Sequence, residues 1–112
     1  MAKLNVELLR RTQRLILKNP TRFDVDQDSQ WSIEGWVPTA AGIDMDSTDD
    51  IYVTARKLLG ISAAQADRLF IGYNWPLKFC RQYRNEPSNL REFKHNARIA
   101  HARIEHFIKR GI

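Results

Sequence analysis

The chain has 112 residues, 43% of them hydrophobic and 28% charged, with a formal net charge of +5. That balance excludes collagen-like, mucin-like and wholly disordered chains, and the length suffices for one core without disulfide or metal staples. No apolar run approaches the roughly 18 residues of a membrane span; the longest, such as Leu15-Ile16-Leu17 and Leu69-Phe70-Ile71, are far shorter.

The stretch from Met1 to Glu7 is broken by polar residues where a signal peptide needs its apolar core, so export is not expected. Cys80 is the only cysteine, which suits a reducing cytoplasm and precludes an internal disulfide. Charge is segregated along the chain. Residues 1–22 carry six basic groups against Glu7, and residues 23–55 carry Asp24, Asp26, Asp28, Glu34, Asp44, Asp46, Asp49 and Asp50 with no Lys or Arg. Residues 56–112 then carry twelve basic and four acidic groups. Such basic flanks invite a nucleic-acid or anionic-surface reading, while the acidic middle is placed to neutralise them within the fold.

From Leu4 to Lys18, Leu4, Leu8, Leu9, Leu15 and Ile16 recur at helical spacing between basic residues, which predicts an amphipathic helix ending before Asn19-Pro20. Phe23 to Gln30 is acidic and without period, an irregular segment leading to Trp31. Between Ser32 and Ala41, Gly35 and Pro38 argue for a short, broken helix. Ser47-Thr48-Asp49-Asp50 supplies capping groups for a helix through Ile51, Ala55, Leu58 and Leu59, with Gly60 suited to its end. Ser62-Ala63-Ala64-Gln65 has the form of a capping box, with Ile61 placed to staple onto Ala66, and opens a helix running to about Ile71. Pro76, Phe79 and Tyr83 predict another short helix, ending near Asn85. Asn89 and Glu92 open a long final helix whose Phe93, Ala97, Ala100, Ile104, Phe107 and Ile108 share one face, and Gly111 stops it. The expected architecture is all-α: one compact domain over residues 1–112, with about five helices and a short irregular acidic segment.

In these words and this order the chain resembles a family of small proteins of bacteria and their phages: Ile16-Leu17-Lys18-Asn19-Pro20-Thr21-Arg22-Phe23-Asp24, Gly35-Trp36 with Ala40-Ala41-Gly42, Ala55-Arg56-Lys57-Leu58-Leu59-Gly60, Leu69-Phe70, Trp75-Pro76 and Arg103-Ile104-Glu105-His106-Phe107-Ile108. No established activity comes with that family. Its pattern often has Cys-Ile-Ala-Gly-Trp where this chain has Ser32-Ile33-Glu34-Gly35-Trp36, so any thiol or ligand role of that cysteine lacks its residue here.

Asp24, Asp26 and Asp28 are spaced like the first ligands of a calcium loop, but Ser29 stands where glycine is needed and Gly35 where the bidentate glutamate belongs. They read as solvated or capping aspartates. On a helical wheel His95 and His101 point about 120° apart, and His95 and His106, which share a side, are about 16 Å apart along the axis, too far to chelate one ion. Neither a metal nor a cofactor is expected. Ser32 lacks the flanking glycines of a nucleophile elbow and reads as a capping or exposed serine. No dinucleotide-binding glycine turn or phosphate loop occurs, and no catalytic residue is expected.

The densest functional signal is Tyr73, Trp75, Lys78, Phe79, Arg81, Tyr83 and Arg84, an interleaving of aromatic and basic residues that suits single-strand binding. Helical spacing gives the competing reading, with the aromatics in the core and Lys78, Arg81 and Arg84 in water. Arg91, Lys94, His95, Arg98 and Lys109 share a polar sector of the last helix, opposite Phe93 and Ile104, that is either a stripe for an anionic partner or a solvated face. Ile99, between Arg103 and His106 on the wheel, is the apolar residue expected outside the core stripe and so a candidate for partner contact. The candidate contact residues are therefore Tyr73, Trp75, Lys78, Arg81, Arg84, Arg91, Lys94, Arg98 and Ile99. Together they suggest a non-catalytic binding or accessory protein that contacts another protein, with nucleic-acid binding as the alternative and a hydrolase-like activity third. A monomer or weak dimer in a bacterial or phage-infected cytoplasm is expected.

Overall fold

A computed structural model describes residues 3–23, 32–44 and 50–112, in which six α-helices and two 3-10 turns account for the regular structure. The helices are α1 Val6–Lys18, α2 Ile33–Ala40, α3 Ile51–Leu59, α4 Ala63–Phe70, α5 Leu77–Cys80 and α6 Leu90–Arg110. The all-α expectation holds. The aspartates of the calcium-like spacing and the capping groups Ser47, Thr48 and Asp49 lie outside the described residues.

Local chemistry sets most boundaries. Side-chain oxygens of Asn5, Ser32, Asp50, Ser62 and Asn89 each accept the backbone N–H three residues on, satisfying donors that a helix start leaves without partners. Ser62 and Gln65 complete the capping box. Gly60 closes α3 with φ 70° and Gly111 closes α6 with φ 72°, the left-handed conformation that glycine adopts without steric cost.

Two elements depart from expectation. α2 is an unbroken helix despite Gly35 and Pro38, and Ile33 through Pro38 are all buried. Tertiary burial of Ile33, Trp36 and Val37 outweighs the local cost of a proline that cannot donate to the Glu34 carbonyl. α5 stops at Cys80 rather than near Asn85. A single turn buries Phe79, after which turn hydrogen bonds from Gln82 and Tyr83 to the Phe79 carbonyl continue the chain and side chains of α6 hold Gln82 and Arg84.

α1 is the centre of the layer, packed on α6 along one side and on α2 along the other, and α2 in turn packs on α3. Leu8, Leu9 and Ile16 of α1 meet Ala97, Ala100, Ile104 and Phe107 of α6 within one hydrophobic cluster that also takes in Ala55, Leu59, Leu69, Phe70 and Trp75. Polar groups fix the α1–α6 seam. Gln13, buried, donates to the His101 carbonyl and to Glu105, whose Oε1 also takes a hydrogen bond and ion pair from Arg10.

α6 buries a sector wider than its apolar residues imply. Ile99 is 7% exposed, a core residue rather than an outward-facing one, and Asn96 and Arg103 beside it are equally enclosed. The reason is the packing of the 68–84 region against that edge: Asn96 bonds to Arg84, and Arg103 donates to the Arg68 carbonyl at 3.1 Å and faces the Phe79 ring at 5.9 Å.

The seam makes acid stability testable. Hydrogen bonds from Arg10 and Gln13 hold the Glu105 carboxyl below its ordinary range. A carboxyl depressed on folding contributes stability above its unfolded pKa and loses it as pH falls through the folded value. The melting temperature should fall on acidification across that window, and Glu105→Gln should flatten this part of the profile; an unchanged profile would show that the seam contributes nothing to acid stability.

Candidate functional site

The basic residues of the last third of the chain divide into one buried cation and a set of exposed ones. Arg103 is completely buried, with no Asp or Glu side chain paired to it among the described residues. Its guanidinium donates to the carbonyls of Arg68 and Ile112, at 3.1 and 2.7 Å, and to His106 Nδ1, and lies over the rings of Phe79 and Phe107. Desolvation lowers its pKa to about 10, which leaves it charged at neutral pH. Burial, with Lys78, Arg103 and Arg110 nearby, pushes the His106 imidazole down, consistent with a neutral ring that accepts from Arg103.

Arg84, Arg91, Lys94 and Arg98 are the opposite case: exposed, and without an ion pair among the described residues. Arg91, Lys94 and Arg98 stand at spacings of three and four on α6, within about 60° of arc and about 10 Å of axis. Glu105, paired with Arg10 and Lys109, ends this stripe on its C-terminal side.

The ridge has a cleft on each flank. One, of about 390 Å³, is lined by Arg84, Asn89, Arg91, Glu92 and His95; another, of about 130 Å³, by Leu17, Pro20, Lys94, Ala97 and Arg98. Near the start of α6 a third cleft, of about 450 Å³, has Phe23, Tyr83, Pro87 and Phe93 as apolar wall, with Arg22 and Glu86 also lining it. The surface is thus cationic along its crest and partly apolar in its hollows.

Arg84 is positioned from beneath. Asn96 Oδ1 accepts the Arg84 N–H at 2.8 Å, and Asn96 Nδ2 donates to the Arg84 carbonyl at 2.9 Å, so both backbone polar groups of this loop residue are held by one buried side chain. His95 Nε2 donates to the Gln82 carbonyl two residues earlier. The sequence offered no sign of this clasp, because a mid-helix asparagine is an ordinary solvent-facing residue until something covers it.

The aromatic and basic cluster separates. Trp75 and Phe79 are buried, with Trp75 Nε1 donating to the Leu69 carbonyl at 2.8 Å; Tyr83 is half-buried, with Phe23 and Trp75 packed edge-on to it. Tyr73 stands out at 82% exposure and lines none of the three clefts. Lys78 and Arg81 are exposed, Lys78 over the Phe79 ring, and neither lines any of these three clefts. Ile99 and Trp75 are core residues and offer little surface to a partner.

Ser32 is 1% exposed and its Oγ accepts from the Gly35 N–H, as the capping reading expects. Cys80 donates to the Gly72 and Trp75 carbonyls. Among the described residues no three His, Cys, Asp or Glu side chains group as metal ligands, and no helix is long and apolar enough to cross a membrane. No family model matches the chain, and no curated protein or solved structure is detectably similar to it.

The clasp is open to direct measurement. Asn96→Ala removes the partner of the part-buried Arg84 N–H and C=O and leaves a gap where a buried side chain stood, and should cost about 1–3 kcal/mol on denaturant unfolding. Exchange at the Arg84 amide should accelerate ahead of global unfolding; an amide as protected as in the wild type would show that Asn96 does not hold the loop.

Proposed function

We propose that this is a small non-catalytic binding protein whose working surface is the α6 ridge with the 81–89 loop, and whose partner is an acidic segment of another protein. The carrying observation is the clustering on one face of four exposed cations, Arg84, Arg91, Lys94 and Arg98, none of them in an ion pair among the described residues, beside clefts that they line together with polar and apolar neighbours. Helix physics opposes the arrangement. Like charges three and four residues apart destabilise a helix by about 0.2–0.5 kcal/mol per pair, and a cation in the first turn, as Arg91 is, faces the positive end of the helix dipole. A surface that keeps such costs in the free state recovers them when an anion arrives.

The hollows favour a protein over a nucleic acid. Single-strand binding needs exposed aromatic faces beside the cations, and Trp75 and Phe79 are buried while Tyr73 lines none of the clefts. Phe23, Tyr83, Pro87 and Phe93 instead line a hollow suited to an apolar side chain carried between acidic ones. Ser32, enclosed and engaged as a cap, supports the non-catalytic reading. The half-buried thiol of Cys80, with no second cysteine, fits the reducing cytoplasm of a bacterial or phage-infected cell.

A labelled Asp/Glu-rich peptide carrying one Phe is the probe. Saturable binding is expected at about 0.15 M salt, where screening acts over about 8 Å. Arg91→Glu with Lys94→Glu should weaken it at least about tenfold, whereas Arg81→Glu, outside the clefts, should change it by about twofold or less. Tighter binding to single-stranded DNA, with a steep salt slope and loss in the same double variant, would replace this reading with the nucleic-acid one. Binding to neither would end both.

A further inference from the structure

We infer that the cleft between the 81–89 loop and the first turns of α6 is a binding site for a single phosphate group, held by Arg84 and Arg91. The inference rests on the reading of this face as one that meets anionic partners, and it narrows the chemistry to a phosphate monoester or free phosphate.

Accounting for the polar wall leads there. The cleft of about 390 Å³ is lined by five residues, all polar or charged. Three of them have groups already engaged. Asn89 Oδ1 accepts the Glu92 N–H, Glu92 Oε1 accepts from Ser88 Oγ and Asn89 Nδ2, and His95 Nε2 donates to the Gln82 carbonyl. The two guanidiniums are the groups left over. Neither is paired with Glu92, the one carboxylate in the wall, although all three line the same space.

Arg84 comes from the loop and Arg91 from the helix, so the pair meets the cleft from two separate backbones. The loop side is fixed before any ligand arrives, since Asn96 holds both backbone polar groups of Arg84 and His95 holds Gln82. Preorganised donors of this kind bind without the cost of ordering a loop. One guanidinium fork satisfies both oxygens of a carboxylate, whereas two forks from different elements call for more acceptors and more charge. A phosphate monoester has three acceptor oxygens and a charge of about −1.5 to −2 at neutral pH, and it takes forked hydrogen bonds from arginine. The committed Glu92 carboxylate keeps the empty cleft from accumulating excess positive charge while leaving both forks unblocked.

Inorganic phosphate titrated into the isotope-labelled full chain, at ionic strength held constant with chloride, tests this. Saturable chemical-shift changes centred on Arg84, Arg91 and His95 are expected. Arg91→Gln should weaken them about tenfold or more, and Arg98→Gln, on the ridge but outside this cleft, about twofold or less. All of these side chains except His95 are exposed, so circular dichroism should confirm that both variants keep the fold. Changes that never saturate, or equal losses in the two variants, would reduce the effect to general screening and overturn the site.

The acidic peptide, with and without one phosphoserine, identifies the source. Tighter binding of the phosphopeptide, competed by inorganic phosphate, places the phosphate on a protein partner. Equal affinity of the two peptides, with phosphate still saturating the cleft, assigns it to a small phosphate. Binding of the unphosphorylated peptide without any phosphate binding keeps the acidic-partner reading and rejects the phosphate site.

Discussion

The width of the buried sector on α6 is the constraint from which the rest follows. Its apolar residues define a stripe that α1 covers, but Asn96, Ile99 and Arg103 extend burial around the helix until a second set of neighbours is needed. The 68–84 region supplies them, and since two of the three residues are polar it supplies them with backbone groups: the Arg84 N–H and carbonyl for Asn96, and the Arg68 carbonyl for Arg103. An enclosed amide or guanidinium costs several kcal/mol when unpartnered and little when satisfied, so these side chains dictate where the chain around them lies. α5 can therefore be a single turn. The connection beyond it is fixed by α6 side chains at Gln82 and Arg84 in addition to its own turn hydrogen bonds to Phe79.

The same constraint produces the charged ridge. With so much of its circumference buried, α6 has a narrow sector left for solvent, and Arg91, Lys94 and Arg98 occupy it. Farther along the same side, Glu105 is drawn into the seam by Arg10 and Gln13, so the acid that would balance the ridge is spent on holding α1. Charge on the ridge is thus a consequence of what the seam requires as well as of composition.

Much of this was legible from the sequence where the signal was local. The Ser62–Gln65 box, the Asn89 cap and the glycines at 60 and 111 mark helix ends through hydrogen bonds made within a few residues, and all are in place. α2 was misjudged as broken because propensity weighs Gly35 and Pro38 without knowing that the segment is buried on all sides. Ile99 was misplaced for a related reason. Its flanks, Arg103 and His106, are residues that usually mark solvent, and only the tertiary partners Phe79 and Arg68 turn that edge inward. The clasp of Arg84 by Asn96 joins residues twelve apart, beyond the reach of a periodicity argument. The stripe itself was readable, since three- and four-residue spacing is a sequence property; whether it was compensated was not.

Two kinds of arginine on one helix show what decides between structure and recognition. Arg103 carries a full charge in the interior, yet its donors are largely given to carbonyls and a ring nitrogen and its faces to Phe79 and Phe107, so it has little left with which to recruit an anion. Of its nitrogens, Nε alone is enclosed without a partner among the described residues, a cost the fold absorbs rather than a site it exposes. Arg91 and Arg98 have the same head group, no pairing carboxylate among the described residues, and open access. Exposure by itself would not separate function from solubility, because solvated arginines are common. What separates them is the combination: uncommitted donors at like-charge spacing, with Arg91 at the positive end of the helix, beside a cleft whose other polar residues have groups already engaged. On that accounting the interior arginine belongs to the fold, and the exposed ones are the part of this protein available to a partner.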